Sequence, residues 1–195
     1  MQFYIVDVFA EQKYQGNQLA VLLPDRGLTD DEMQRIARET NFSETTFIVS
    51  GKQKSGGYDV RIFTPDSEIP FAGHPTLGTA YVIHRLLEQR DGDGSVLLNY
   101  PVGAIPVTID ASGLTMKQNQ THFGTIVGPP GMLASLVGLD EDDIEEAPIQ
   151  VVSTGLPCVV TPLRTVGAVR RCRIDRDRMQ KFFSTCPLYT SPRPR

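Results

Sequence analysis

The stretch Phe63-Thr64-Pro65-Asp66-Ser67-Glu68-Ile69-Pro70-Phe71-Ala72-Gly73-His74-Pro75-Thr76-Leu77-Gly78-Thr79-Ala80 decides how this chain is read. It leaves a strand, passes a polar turn, reaches Gly73-His74-Pro75 and enters an almost wholly apolar helix. A helix that starts with proline and is apolar on every side has its N-terminus inside the protein. Such an end leaves backbone N–H groups without helical partners at the positive pole of the helix dipole. A bound anion satisfies both, so the segment reads as an anion pocket built into a core.

The 195 residues fit one domain, or one complete domain with part of another. Lys and Arg number 19 against 23 Asp and Glu, a net charge of −4. That leaves no basic field for a phosphate backbone, and nucleic acid is not an expected partner. No apolar run is long enough to span a bilayer. Met1-Gln2-Phe3-Tyr4-Ile5-Val6-Asp7 enters a strand pattern directly, without the basic start and apolar stretch of a signal peptide. Cys158, Cys172 and Cys186 are odd in number and show no Cys-x-x-Cys spacing. They point to reduced thiols in a cytoplasmic protein, with neither a disulfide framework nor a zinc site.

Working outward, the first half alternates short strands with two helices. Strands are expected at 3–9, 19–23, 45–49 and 58–63, with turn signals at Gly16-Asn17 and in the loop Gly51–Gly57. A helix over 30–39 is announced by the capping box Thr29/Glu32 and the hydrophobic pair Leu28/Met33, and Asn41 suits its end. The buried helix is expected from Pro75 to about Glu88, followed by strands at 96–100, 104–109 and 114–118. Short, mostly antiparallel strands around one apolar helix make an α+β lobe, with that helix threaded through a curved sheet and the 30–39 helix outside. After residue 119 the apolar segments 122–127, 132–139 and 149–160 begin a second lobe over 119–185. The acidic run 140–146 reads as a solvated helix start. The proline-rich tail 186–195 has no periodicity, resembles a translated sequencing adapter and is expected to be non-native.

Three positions could carry chemistry. His74 falls at the N-cap of the buried helix, with Pro75 at the first helical position and Gly73 allowing close backbone approach. It can contact a bound substrate or simply cap its own helix. Glu44 stands between a helix stop and an apolar strand, where partial desolvation suits a carboxylate to general-base work, although most glutamates in such loops face solvent. Asn17 can bind a polar substrate through its amide, but its place after Gly16 favours a turn. Asp66 and Glu68 read as turn-making or solvent-facing acids. The chain has no Gly-x-Gly-x-x-Gly, P-loop or Gly-x-Ser-x-Gly, and His74, His84 and His122 lack zinc-ligand spacing. His84 reads as a structural residue of the buried helix.

Taken in order, several segments resemble the phenazine biosynthesis protein PhzF-like family, relatives of diaminopimelate epimerase. They are Val6-Asp7-Val8-Phe9, Gly16-Asn17-Gln18-Leu19-Ala20-Val21, Ile36-Ala37-Arg38-Glu39, Phe42-Ser43-Glu44-Thr45, Arg61-Ile62-Phe63-Thr64-Pro65 and Ala72-Gly73-His74-Pro75-Thr76-Leu77-Gly78-Thr79. Ile149-Gln150-Val151 to Gly155 adds a second-lobe strand. The resemblance implies a diaminopimelate epimerase-like fold of two lobes, each a curved mixed or antiparallel sheet around a central helix. It implies cofactor-independent isomerisation of a small carboxylate by proton transfer, and it allows a homodimer at full length. Glu44 matches the family's general acid/base; Gly73, His74, Pro75 and Thr76 match its substrate-contacting turn; Asn17 matches a substrate-binding loop position. Cysteine-dependent members of the superfamily carry Cys where this chain has Ala72, which disfavours a two-thiol mechanism.

The second-lobe Asp and Gly/Ser-rich turn of the family are not found before residue 195. The expectation is therefore an N-terminal fragment with an incomplete second lobe, inactive by itself and prone to aggregate through unpaired strand edges. The competing reading is a small-anion or metabolite-binding protein that keeps the helix-end pocket without catalysis.

Overall fold

The computed structural model describes residues 1–54 and 56–185. Contacts divide them into two compact units: Met1–Gln120 with Thr154–Leu156, and the other described residues from Thr121 onward.

The first unit is one sheet and two helices. β1 (Gln2–Val8) pairs antiparallel with β2 (Asn17–Leu23), and α1 (Asp30–Thr40) carries the chain to β3 (Glu44–Ile48), parallel to β2 with Leu19 opposite Glu44. β4 (Tyr58–Phe63) runs antiparallel to β3, and short β5 (Glu68–Ile69) pairs with β4. α2 (Gly73–Val82) crosses to β6 (Gly94–Tyr100), parallel to β4, and β7 (Gly103–Asp110) and β8 (Gly113–Met116) complete an antiparallel meander. The order is β1-β2-β3-β4-β6-β7-β8. The sheet is therefore mixed. Its two parallel junctions are the two bridged by helices, because parallel neighbours need a crossover that a tight turn cannot supply.

α2 touches β1, β2, β3, β6, β7 and β8, so the sheet curls around it. Leu19, Val21, Ile48, Ile62, Leu98, Ile105 and Val107 pack with Ala80, Val82 and Ile83 in one cluster. The alternate residues Ala20, Leu22, Phe47 and Phe63 pack with Met33 and Ala37 of α1 in another. Strands β2 and β3 are covered on both faces, which is why they read as continuous apolar runs without alternation. A Cβ at Gly78 would lie 2.6 Å from Leu19 and 2.9 Å from Val8, so this glycine lets α2 sit directly on β1 and β2.

α1 follows its sequence signals. Thr29 Oγ1 accepts from the Glu32 N–H, the Glu32 carboxylate accepts from the Thr29 N–H, and Asn41 ends the helix in the left-handed region at φ 55°. α2 departs from its expected bounds. It starts at Gly73 with Ala72 as N-cap, so His74 and Pro75 lie within the first turn and His74 is not the cap. Pro75 fits there because first-turn N–H groups have no helical acceptor to lose. The expected continuous helix to Glu88 instead becomes a π-helical turn at Ile83–Leu87, closed by the Glu88 N–H on the Ile83 carbonyl at 2.8 Å. His84 is fully buried there, with Nε2 3.1 Å from the Gly92 carbonyl oxygen, and a Cβ at Gly94 would lie 2.5 Å from its ring. Nor is the helical segment buried all round: Tyr81 and Leu86 are 42% and 43% exposed. The sheet order ends at β1 and β8 without joining them, which leaves one side of the helical segment uncovered.

The second unit holds a small antiparallel sheet in the order β11-β10-β9, made from β9 (His122–Ile126), β10 (Gln150–Ser153) and β11 (Pro157–Val160). The apolar segment 149–160 is thus two strands turned back on each other, and 132–139 is largely helix α3 (Pro130–Leu136). Its core gathers Val127, Leu133, Ala134, Leu136, Leu139, Ile144, Ile149 and Ala168. The acidic run makes a single 3-10 turn at Glu141–Asp143, and α4 (Val166–Arg171) and α5 (Arg176–Thr185) follow. The tail 186–195 lies outside the described residues. No described helix is long and apolar enough to cross a membrane.

Candidate active site

Period-2 alternation on β3 sorts its side chains. Thr45 and Phe47 turn toward α1, with Thr45 Oγ1 2.8 Å from Thr40 Oγ1. Thr46 and Ile48 turn toward α2, where Thr46 Oγ1 lies 2.9 Å from Thr79 Oγ1 in a fully buried pair. Glu44 shares the face of Thr46. Two residues back along a strand is about 6.6 Å, and five residues back along a helix from Thr79 is about 7.5 Å. The threonine pair therefore brings Glu44 level with His74.

The outcome is a contact of 3.5 Å between Glu44 Oε2 and His74 Nε2, with the side chains 19% and 10% exposed. Both atoms are buried and neither has a hydrogen-bond partner among the described residues. A separation of 3.5 Å places the two groups beside each other without a good hydrogen bond, and catalytic pairs often tighten only when substrate is bound. A carboxyl group and an imidazole side by side at a helix N-terminus are groups that can pass a proton, and they stand next to backbone donors.

Those donors are few. Among the described residues the N–H groups of Gly73 and His74 have no acceptor, Pro75 has no N–H to give, and the Thr76 N–H is directed at the Ala72 carbonyl at 3.4 Å. Pro75 and Thr76 are buried, and the Thr76 hydroxyl lies 2.8 Å from the Ala72 carbonyl and 3.1 Å from the Tyr100 hydroxyl. Of the turn, Gly73 and His74 thus offer groups outward, while Pro75 and Thr76 hold the helix end together. Asn17 is exposed at the start of β2, two residues ahead of Leu19, which faces Glu44 across the parallel pair. It shares the sheet end with Glu44 but makes no hydrogen bond with Glu44 or His74. Gly16 before it has φ +79°, and a Cβ there would lie 2.3 Å from the Val8 carbonyl oxygen, so the turn itself demands glycine.

Two neighbours escaped the sequence reading. A Cβ at Gly73 would come within 3.2 Å of Met116 and 3.9 Å of the Gln118 amide nitrogen, so the end of β8 borders the turn. Their i, i+2 spacing was the available signal, but only the curl of the sheet brings β8 round to α2. Glu68 makes no turn but opens β5, where its carboxylate accepts from Arg61 at 2.6 and 2.7 Å, and Arg61 also reaches Asp30 at 2.6 Å. Glu68 and Asp30 raise the Arg61 guanidinium above its usual range. His122 is exposed on β9. Two clefts, of about 750 Å³ beside β1 and about 670 Å³ beside α1, are lined by neither Glu44 nor His74. Among the described residues no group of three or more His, Cys, Asp or Glu could hold a metal ion.

Comparison with known proteins bears on the family and the fold. The family model described as phenazine biosynthesis-like protein matches residues 6–192. An uncharacterized isomerase of Pasteurella multocida is 36% identical over 188 residues, 96% of this chain and 63% of the relative. The trans-2,3-dihydro-3-hydroxyanthranilate isomerase of Pseudomonas aeruginosa is 33% identical over 186 residues, 93% of this chain and 64% of the relative. A solved structure of a predicted epimerase from Pseudomonas aeruginosa superposes with a TM-score of 0.80 at 32% identity, covering 93% of this chain and 66% of that one. The chain thus spans somewhat less than two thirds of the length of these relatives. With the fold, the ordered motifs and the family match in agreement, the chain belongs to the phenazine biosynthesis-like protein family.

Proposed function

We propose that the protein is a cofactor-independent isomerase that moves a proton on a small carboxylate substrate. Glu44 is the general acid/base. The N–H groups of Gly73 and His74, with the His74 side chain and Asn17, hold the substrate. The observation that carries this reading is the buried, unpartnered Glu44–His74 pair, 3.5 Å apart at the N-terminus of α2. Glu44 takes a proton from one substrate carbon and returns it to another. Charge that builds up as the proton leaves is drawn toward the carboxylate, where the helix-end amides and dipole stabilise it. Relatives named isomerases support the reaction class.

The test is proton exchange in D2O followed by NMR, on the full-length gene product and its Glu44→Gln variant, with trans-2,3-dihydro-3-hydroxyanthranilate as the first compound because it is named for the Pseudomonas relative. Glu44→Gln is expected to slow exchange by about 10²- to 10⁴-fold, the usual contribution of a positioned acid/base. Equal exchange in both proteins removes Glu44 from the chemistry. Carboxylate binding without exchange in either returns the reading to a small-anion binding protein.

A further inference from the structure

Tyr100 closes β6 with its hydroxyl buried inside the first unit, and its ring meets Phe71 edge-on at 5.9 Å and 76°. Thr76, also fully buried, lies 3.1 Å from that hydroxyl and 2.8 Å from the Ala72 carbonyl oxygen. A hydroxyl has one proton, and a carbonyl can only accept. In the relay inferred from these contacts, the Thr76 proton goes to its shorter contact, the Ala72 carbonyl, which leaves Thr76 Oγ1 free to accept from the Tyr100 hydroxyl. Burial raises Tyr100 well above the usual phenol range, which keeps it a donor.

The Ala72 carbonyl and the Gly73 N–H belong to one planar trans peptide and point in opposite directions. Pinning the carbonyl on the helix side fixes the Gly73 N–H on the other. Glycine would otherwise leave this peptide the freest in the turn, and with Pro75 lacking a donor the Gly73 N–H is one of two available. We propose that Tyr100 is a positioning residue, which aims the Gly73 N–H at the substrate carboxylate through the hydroxyl of Thr76. This rests on the binding role given above to the α2 N-terminus.

The variants are Tyr100→Phe, Thr76→Val, Thr76→Ser and the double Tyr100→Phe/Thr76→Val. The readouts are the Gly73 amide resonance, the dissociation constant of anthranilate as an unreactive ring carboxylate, and the kcat and KM of exchange. Tyr100→Phe keeps the packed ring and is expected to move the Gly73 resonance, weaken anthranilate about tenfold and raise KM with kcat little changed, the pattern of lost ground-state binding. Thr76→Val should match it, Thr76→Ser should retain wild-type values, and the double variant should be no worse than either single one, because the relay acts as one unit. An unmoved Gly73 resonance in Tyr100→Phe, or anthranilate binding within twofold of wild type, overturns the proposal. If wild type shows no exchange but anthranilate still perturbs Gly73, the isomerase reading fails and the positioning role stands. If anthranilate misses Gly73 in wild type, the binding role fails and the positioning of a carboxylate falls with it.

Discussion

The residue that sets the site is Thr46, which touches no substrate. Its hydroxyl, 2.9 Å from that of Thr79, is the buried peg that fixes how far α2 slides along β3, and so which helix residue Glu44 meets. Thr46→Val keeps the shape but leaves the Thr79 hydroxyl without this partner in a dry core. A loss of about 1–3 kcal/mol is expected by urea denaturation, with Thr46→Val/Thr79→Val recovering most of it, because removing both polar groups leaves nothing unsatisfied. If the double variant is as unstable as the sum of the two singles, the threonines act separately and the peg is not a unit. Glu44 and His74 stand out in the sequence, one by its place at a strand entrance and one by the Gly-His-Pro turn. Their contact could not be read there, since 29 intervening residues say nothing of the register between β3 and α2. Tyr100 was equally illegible: a tyrosine at a strand end looks the same whether its hydroxyl meets water or a helix cap.

At the level of elements, α1 is the helix whose local signals suffice. The Glu32 carboxyl is held at about 2, against an ordinary 4.5, by the Arg26 side chain first and then by the Thr29 backbone N–H. A carboxyl depressed in the folded state contributes fully above its unfolded value and loses that contribution as pH falls toward the folded one. Part of the stability of wild type should therefore disappear between pH 4.5 and about 2. Glu32→Gln should be slightly less stable near neutrality and flatter across that acidic window, the effect being small because solvent screens an exposed pair. Thermal melts against pH decide it, and parallel curves for the two proteins would remove Glu32 from the acid response. α2 is the opposite case. Its apolar composition announced a buried helix, yet its start at Gly73, the π-turn at Ile83–Leu87 and the exposure of Tyr81 came from packing. Propensity and pattern cannot report where a surrounding sheet ends.

At the level of the molecule, the two units differ in how deeply they are built. β2, β3 and β4 are sandwiched between α1 and α2, whereas β9 in the second unit has four of five residues exposed, including Phe123 and Ile126. Hydrogen exchange should accordingly find the slowest amides in β2–β4 and α2, and in β9 and β11 amides faster by orders of magnitude. Uniform protection across both units would show that they open together. The sequence by itself determined the lobe: apolar runs long enough to be covered twice, a capped amphipathic helix, and an apolar helix behind a glycine-histidine-proline turn are local patterns that one packing satisfies. It also determined the residue types of the site, because a carboxylate at a strand entrance and a backbone-rich helix start are local features. Only the tertiary structure decided which of them meet. The Glu44–His74 contact, the approach of Met116 to Gly73 and the contact of Tyr100 with Thr76 depend on strand register and sheet curl, which are fixed by side chains distant in sequence packing to a single fit.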